Sequence, residues 1–189
     1  MKGKFLMKKY YALMLTLVLG VAGVAAHAQK DPMVGGAAMY PTKNIVENAM
    51  NSKDHTTLVA AVKAAGLVQT LEGPGPFTVF APTNEAFAKL PSGTVDTLLK
   101  PENKDQLTKI LTYHVVAGKV TAKDLMKQIK EGGGKAQLKT VEGGTLTASS
   151  SDGKIMLTDE KGGMATVTIA NVYQSNGVIH VVDAVLMPN

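Results

Sequence analysis

Residues 75–91 read Gly75-Pro-Phe-Thr-Val-Phe-Ala-Pro-Thr-Asn-Glu-Ala-Phe-Ala-Lys-Leu-Pro91, and the stretch changes structural type halfway along. Phe77-Thr78-Val79-Phe80 is aromatic and β-branched and sits between Pro76 and Pro82, which predicts a brief strand. Thr83 follows, a side chain whose oxygen can accept from the free amides of a first helical turn. The helix it opens carries Phe87 and Leu90.

Upstream of this junction the pattern is helical. Thr42 is placed to cap a helix over 43–50 and Asp54 another over 55–65. Leu58, Ala61, Val62 and Ala65 line one face of the second, and Gly66 stops it. Downstream, Pro101 opens a longer helix with Leu107, Ile110, Leu111 and His114 at helical spacing. Thr121 and Asp124 form a capping-box-like start for one more helix, which ends at Gly132-Gly133-Gly134. The period then switches to two. Strands are predicted at about 136–141, 145–150, 154–158, 164–170 and 178–186, divided by Gly143-Gly144, Asp152-Gly153, Gly162-Gly163 and Asn176-Gly177. Helices first and antiparallel strands later predict an α+β fold.

The N-terminus reads as an address. Lys2, Lys4, Lys8 and Lys9 precede an apolar run from Tyr10 to Ala26, and Ala26-His27-Ala28 fits a signal-peptidase site. Gly20 and Gly23 interrupt a run already short for a membrane span, and no Cys follows it to carry a lipid. We therefore expect residues 1–28 to be a signal peptide, 29–41 a flexible lead-in rich in Gly and Pro, and 42–189 a single domain. No stable membrane anchor is expected after cleavage near Ala28.

Processing changes the charge argument. The whole chain is formally +5, but its four leader lysines reduce the mature form to +1. All 20 basic residues are Lys, so the bidentate guanidinium used on phosphates and base edges is missing. The aromatics of the mature part, Tyr40, Phe77, Phe80, Phe87, Tyr113 and Tyr173, are scattered, which gives no base-stacking platform. Nucleic acid is not an expected partner. The chain has no Cys, which removes thiol catalysis, thiolate metal sites and disulfides together.

Two further segments join the first. Leu111-Thr-Tyr-His-Val-Val116 and Asn176-Gly-Val-Ile-His-Val-Val-Asp-Ala-Val-Leu-Met-Pro188 follow residues 75–91 in order and spacing. Together they resemble the first box, the Tyr-His segment and the second box of fasciclin domains, a likeness running from about Thr42 to Pro188. The resemblance implies a β-sandwich or wedge of short strands wrapped by helices from the N-terminal half. It also implies a secreted, periplasmic or surface-attached protein that mediates adhesion to cells, matrix, biofilm or a host, with single-domain bacterial forms similar to mycobacterial antigens. Animal members engage integrins through the Tyr-His segment and an Asn-Lys-Asp-Ile-Leu stretch. Tyr113 and His114 match the former, whereas the latter is replaced here by Ile169-Ala-Asn-Val-Tyr173, with Asn171 where Asp is usual. Integrin binding is therefore not carried over, and Tyr113 and His114 are binding candidates only as family-marker positions.

The polar residues of these segments read as structural. His114 extends an apolar helical face, and His180 alternates with Val178, Val182, Ala184 and Leu186, while Asp183 shares the other face with Ile179, Val181 and Val185. An apolar strand of this kind is covered on both faces, so each polar group needs an internal partner. Thr78, Thr83 and Asn84 could form a polar ligand shelf but fit a strand ladder and helix cap better, and Asn176-Gly177 reads as a turn. His55, His114 and His180 are too few and too dispersed for a metal site. There is no Gly-x-Ser-x-Gly elbow or His-Glu-x-x-His, and Gly133-Gly134-Lys135 lacks the Ser or Thr of a phosphate loop. No cofactor and no catalysis are expected. Lys119, Lys123, Lys127 and Lys130 give one helix a basic face. The leading functional expectation is adhesion to a protein or matrix component. The alternative is carriage of an apolar small molecule between helices and sheet, which a contiguous cavity would favour.

The leader reading sets a first test. Intact mass of protein from the exported fraction should place the mature N-terminus at Gln29, as the free amine or as pyroglutamate. A mass that retains residues 1–28 would mean an anchored protein.

Overall fold

The computed structural model describes residues 31–189; the expected leader over 1–28 lies outside them. The chain opens with a two-stranded hairpin, β1 (Met33–Val34) and β2 (Ala37–Ala38). Val34 and Met39 are buried in a hydrophobic core. From Asp31 onward the chain belongs to one compact unit, so packing begins earlier than the expected lead-in allowed. Helix α1 (Ile45–Asn51) is capped by Asn44 rather than Thr42. Asn44 is the residue with Glu at its third helical position, and both bonds of the capping box form.

A 3-10 turn, Lys53–His55, leads into α2 (Thr56–Ala65), which ends on Gly66 in the left-handed conformation, as the sequence suggested. Asp54 lies within the 3-10 turn and does not cap. Next come α3 (Val68–Glu72), β3 (Phe77–Pro82), α4 (Asn84–Ala88, capped by Thr83) and α5 (Thr94–Leu98). Pro101 opens a 3-10 turn, and α6 (Lys104–Tyr113) follows, then β4 (Val115–Ala117). Helix α7 (Ala122–Glu131) carries the full capping box of Thr121 and Asp124. The remaining strands are β5 (Lys135–Lys139), β6 (Thr145–Ser151), β7 (Lys154–Thr158), β8 (Met164–Gln174) and β9 (Gly177–Val182).

One seven-stranded sheet runs β4-β3-β9-β8-β7-β6-β5. It is mixed rather than wholly antiparallel, because β3 and β9 pair in parallel from Phe77↔Gly177 to Pro82↔Val182. Their crossover passes through α4–α7, β4 and the whole β5–β8 meander. The two edges of the sheet meet: Val116 on β4 bridges Thr140 beyond β5, and Val141 N–H donates to the Val115 carbonyl at 2.7 Å. This contact closes the sheet into a wedge and leaves fewer edge groups open to another chain.

Two apolar cores flank the β3–β9 pair. The first packs α1, α2, α3 and α6 against Val79, Ala81, Ile179 and Val181. The second fills the wedge with Phe80 and Val182 from the same strands, the inner faces of β5–β8, and Leu125 and Ile129 of α7. Burying one such side chain fully stabilises by about 1.5–3 kcal/mol.

The close parallel pairing explains the glycine that opens β9. A Cβ at Gly177 would stand 2.1 Å from the Phe77 carbonyl oxygen, a backbone atom that cannot turn aside. Gly177→Ala should therefore lower the free energy of unfolding by about 2–4 kcal/mol in urea titration. A loss below about half a kilocalorie would show that the pair can spread apart.

Candidate functional site

The polar residues of the three family segments are held by bonds inside the protein. Thr78, fully buried, donates its hydroxyl to the Gly118 carbonyl at 2.7 Å and accepts from Val120 N–H at 2.8 Å. Thr83 accepts from Ala86 N–H at 3.2 Å as the cap of α4. Asn84 reaches a different helix: its Oδ1 accepts from Thr57 N–H at 3.0 Å and its Nδ2 donates to the Lys53 carbonyl at 2.9 Å. It thereby serves the start of α2, whose own cap residue supplies no side-chain bond.

Asn176 ties three segments together. Its Oδ1 accepts from Ile45 N–H at 3.1 Å, and its Nδ2 donates to the Leu71 and Gly73 carbonyls at 2.7 and 2.9 Å. Asp183 accepts from Thr166 N–H at 2.7 Å, while its own carbonyl accepts from Lys89 Nζ. Tyr113 is fully buried and donates its hydroxyl to the Thr145 carbonyl at 2.9 Å. Burial, above all, pushes its pKa up to about 12. His114, the C-cap residue of α6, is also buried. Neither marker residue presents its side chain to an outside partner in this fold.

The histidine bonds fix their protonation. His114 Nδ1–H donates to the Ile110 carbonyl at 2.9 Å, and Nε2 accepts from Leu186 N–H at 3.0 Å. His180 uses the opposite tautomer: Nε2–H donates to the Val120 carbonyl at 2.9 Å and Nδ1 accepts from Asn171 N–H at 3.4 Å. Its ring also stacks on Phe80 at 5.6 Å. A second proton on either ring would put two donors face to face. Burial is the main cause that lowers the pKa of His55, His114 and His180 from 6.5.

Sequence reasoning missed Asn48 and the structural role of Asn171. Buried Asn48 exchanges bonds with the Tyr40 backbone and donates to Gln174 Oε1, joining the N-terminal hairpin to α1 and β8. Asn171 sits at an irregularity of β8 with φ 59° and accepts from Ala122 N–H at 2.8 Å, at the start of α7. Asn tolerates this left-handed backbone better than most residues, which is the signal that could have marked it. The expected basic face is divided: Lys119 precedes α7 and lies 4.7 Å from the Tyr173 ring centroid, and within α7 Lys127 pairs with Glu131 at 3.8 Å. Among the described residues, no three His, Asp or Glu side chains converge as metal ligands, and no helix is long and apolar enough to cross a membrane.

Comparison with known proteins agrees with this architecture. A family model for the fasciclin domain matches residues 53–188. The chain is 51% identical over 160 residues to the protein sll1483 of Synechocystis, spanning 85% of this chain and 82% of that one. It is 34% identical over 169 residues to the cell surface glycolipoprotein MPB83 of Mycobacterium bovis, spanning 89% of this chain and 66% of the relative. In fold it is similar to a fasciclin domain pair from the insect cell adhesion molecule fasciclin I, with TM-score 0.68 and 21% identity, covering 77% of this chain and 51% of that one. The chain belongs to the fasciclin domain family.

Three buried neutral imidazoles make stability depend on pH with a definite sign. On acidification the unfolded chain takes protons near pH 6.5, whereas the folded rings resist until lower pH. Stability is thus fully present above that value and lost below it, by up to about 1.4 kcal/mol per pH unit for each ring. The urea midpoint should be level between about pH 7 and 8 and fall steeply towards about pH 5. A level profile throughout would refute the neutral assignment.

Proposed function

We propose that this protein is an exported, non-catalytic interaction module that attaches to a protein or matrix component at or beyond the cell envelope. The observation that carries this reading is the internal bonding of the family-segment polar residues. With Thr78, Asn84, His114, Asn176 and His180 all engaged inside the fold, those segments supply no nucleophile–base pair and no ligand set. Interaction then falls to the surface.

The N-terminal part of the domain exposes side chains that suit that role. Met33, Tyr40 and Met50 are large apolar side chains with 54%, 43% and 54% exposure. The Tyr40–Asn48 bonds hold the hairpin end beside α1, which carries Met50, and Lys43 Nζ lies 5.3 Å from the Tyr40 ring centroid. An exposed Tyr with a cation over its ring resembles the anchor of many protein interfaces. The signal-like leader, the surface location named for the mycobacterial relative and the adhesion role named for the structural neighbour support the same reading.

Envelope and matrix fractions passed over the immobilised protein should yield a specific partner. Tyr40→Ala should weaken capture by about tenfold or more with the melting curve unchanged. His114→Ala should instead lower stability by about 1–3 kcal/mol through the orphaned Leu186 N–H. Lost capture in a His114→Ala protein that melts normally would move the contact surface to the Tyr-His segment.

A further inference from the structure

The first core is not filled. A cavity of about 50 Å³ lies between helices α1–α3 and the β3–β9 pair, walled by side chains such as Leu58, Val62, Leu71 and Ile179. The N-terminal hairpin closes one side of it, because Val34 on β1 and Met39, just beyond β2, are both buried there. The cavity reaches the surface where Ala49 of α1 and Val59 of α2 are half-buried. Lys63 stands one turn beyond Val59 on the same helical face and is exposed at that mouth.

The wall makes no polar demand on a guest. Its polar side chains below the mouth, Ser52, His55 and His114, are turned to partners within the protein. The Ser52 hydroxyl lies 2.9 Å from His55 Nδ1, the His55 ring also faces the Ala81 carbonyl, and His114 has both nitrogens engaged. Water is a poor occupant of such a space, since it needs two to four polar partners. An apolar guest is stabilised there by leaving water and by contacts that the walls otherwise lack. The mouth is different in character: the Lys63 ammonium has no ion-pair partner among the described residues. Apolar depth with one cation at the rim matches a molecule that is apolar at one end and anionic at the other.

We propose that this cavity takes the chain end of a free fatty acid, whose carboxylate stays outside beside Lys63. Size selects the chain: about 50 Å³ is near a third of the roughly 150 Å³ that holds benzene, so a ring is too large and the tip of an unbranched alkyl chain fits. The rest of the chain lies in the mouth over Ala49 and Val59. Met39, unbranched and adaptable, is the wall side chain best able to shift and deepen the space. The carboxylate remains in water next to the ammonium, so no charge is buried. A two-chain phospholipid would leave its second chain without a cavity. This site goes beyond the adhesion reading and does not depend on it.

The test is a methyl NMR titration of the purified protein with decanoate, kept below the concentration at which it forms micelles. Decyltrimethylammonium, with the same chain and the opposite charge, is the comparison. Decanoate should shift the Leu58, Leu71 and Ile179 methyl resonances saturably and bind about threefold or more tighter than the ammonium. Lys63→Gln should remove that preference and keep the methyl shifts. Ala49→Leu, which narrows the mouth, should weaken both ligands by about tenfold. If Ala49→Leu does not fold, the wild-type methyl shifts still decide. Equal affinity for the two charges, or shifts confined to surface groups such as the Met33 and Met50 methyls, would overturn the proposal. So would a response to anionic phospholipid vesicles alone. Capture of a protein partner is read with Tyr40→Ala, which leaves the cavity walls and Lys63 in place, so either result leaves the other standing.

Discussion

β9 has no residue facing water: every position from Gly177 to Val182 is buried. It is held between β3 on one side and β8 on the other, so both its edges and both its faces are committed. Ile179 and Val181 belong to the first core, and Val182 to the second. A strand in that position cannot exchange a protein hydrogen bond for one to water. Each polar group on or beside it must find its partner inside, or the fold loses the cost of leaving it dry.

That constraint accounts for the residue types of the family segments. At position 180 the side chain must fill space against Phe80 while bonding at both ends, to Val120 and to Asn171. A neutral imidazole does this with one donor and one acceptor on a rigid ring. His114 does the same with the reverse tautomer and fastens Leu186, beyond β9, to the end of α6. Asn176 precedes β9 and satisfies two carbonyls and one amide from α1, α3 and the residue after α3. The Tyr113 hydroxyl, bonded to Thr145, fixes the opposite side of the wedge.

Features whose signal is local were legible in the sequence. The Thr83 cap, the Thr121–Asp124 box, the Gly66 stop and the β5–β8 hairpins each announce themselves within a few residues. Features set by distant pairing were not. The parallel β3–β9 register joins segments about 100 residues apart, and no turn chemistry encodes it. Asn84 could be read as part of its own helix, but not as the group that serves α2. Helices α3 and α5 are too short to show a period, and Val34 and Met39 are isolated apolar residues that became core only through the hairpin.

The same distinction explains why the resemblance specifies a fold more sharply than a partner. Its signature positions are those the β9 constraint forces to be particular, and they are enclosed. Asn171 illustrates the point: its amide oxygen accepts from Ala122 N–H on a left-handed backbone, a bond that the Asp usual in the family would also accept, so the position has a structural role. Specific recognition then rests on positions outside the signature, which packing leaves free to differ. Tyr40, exposed beyond the hairpin, is one such place, with chemistry that the fold itself leaves unused.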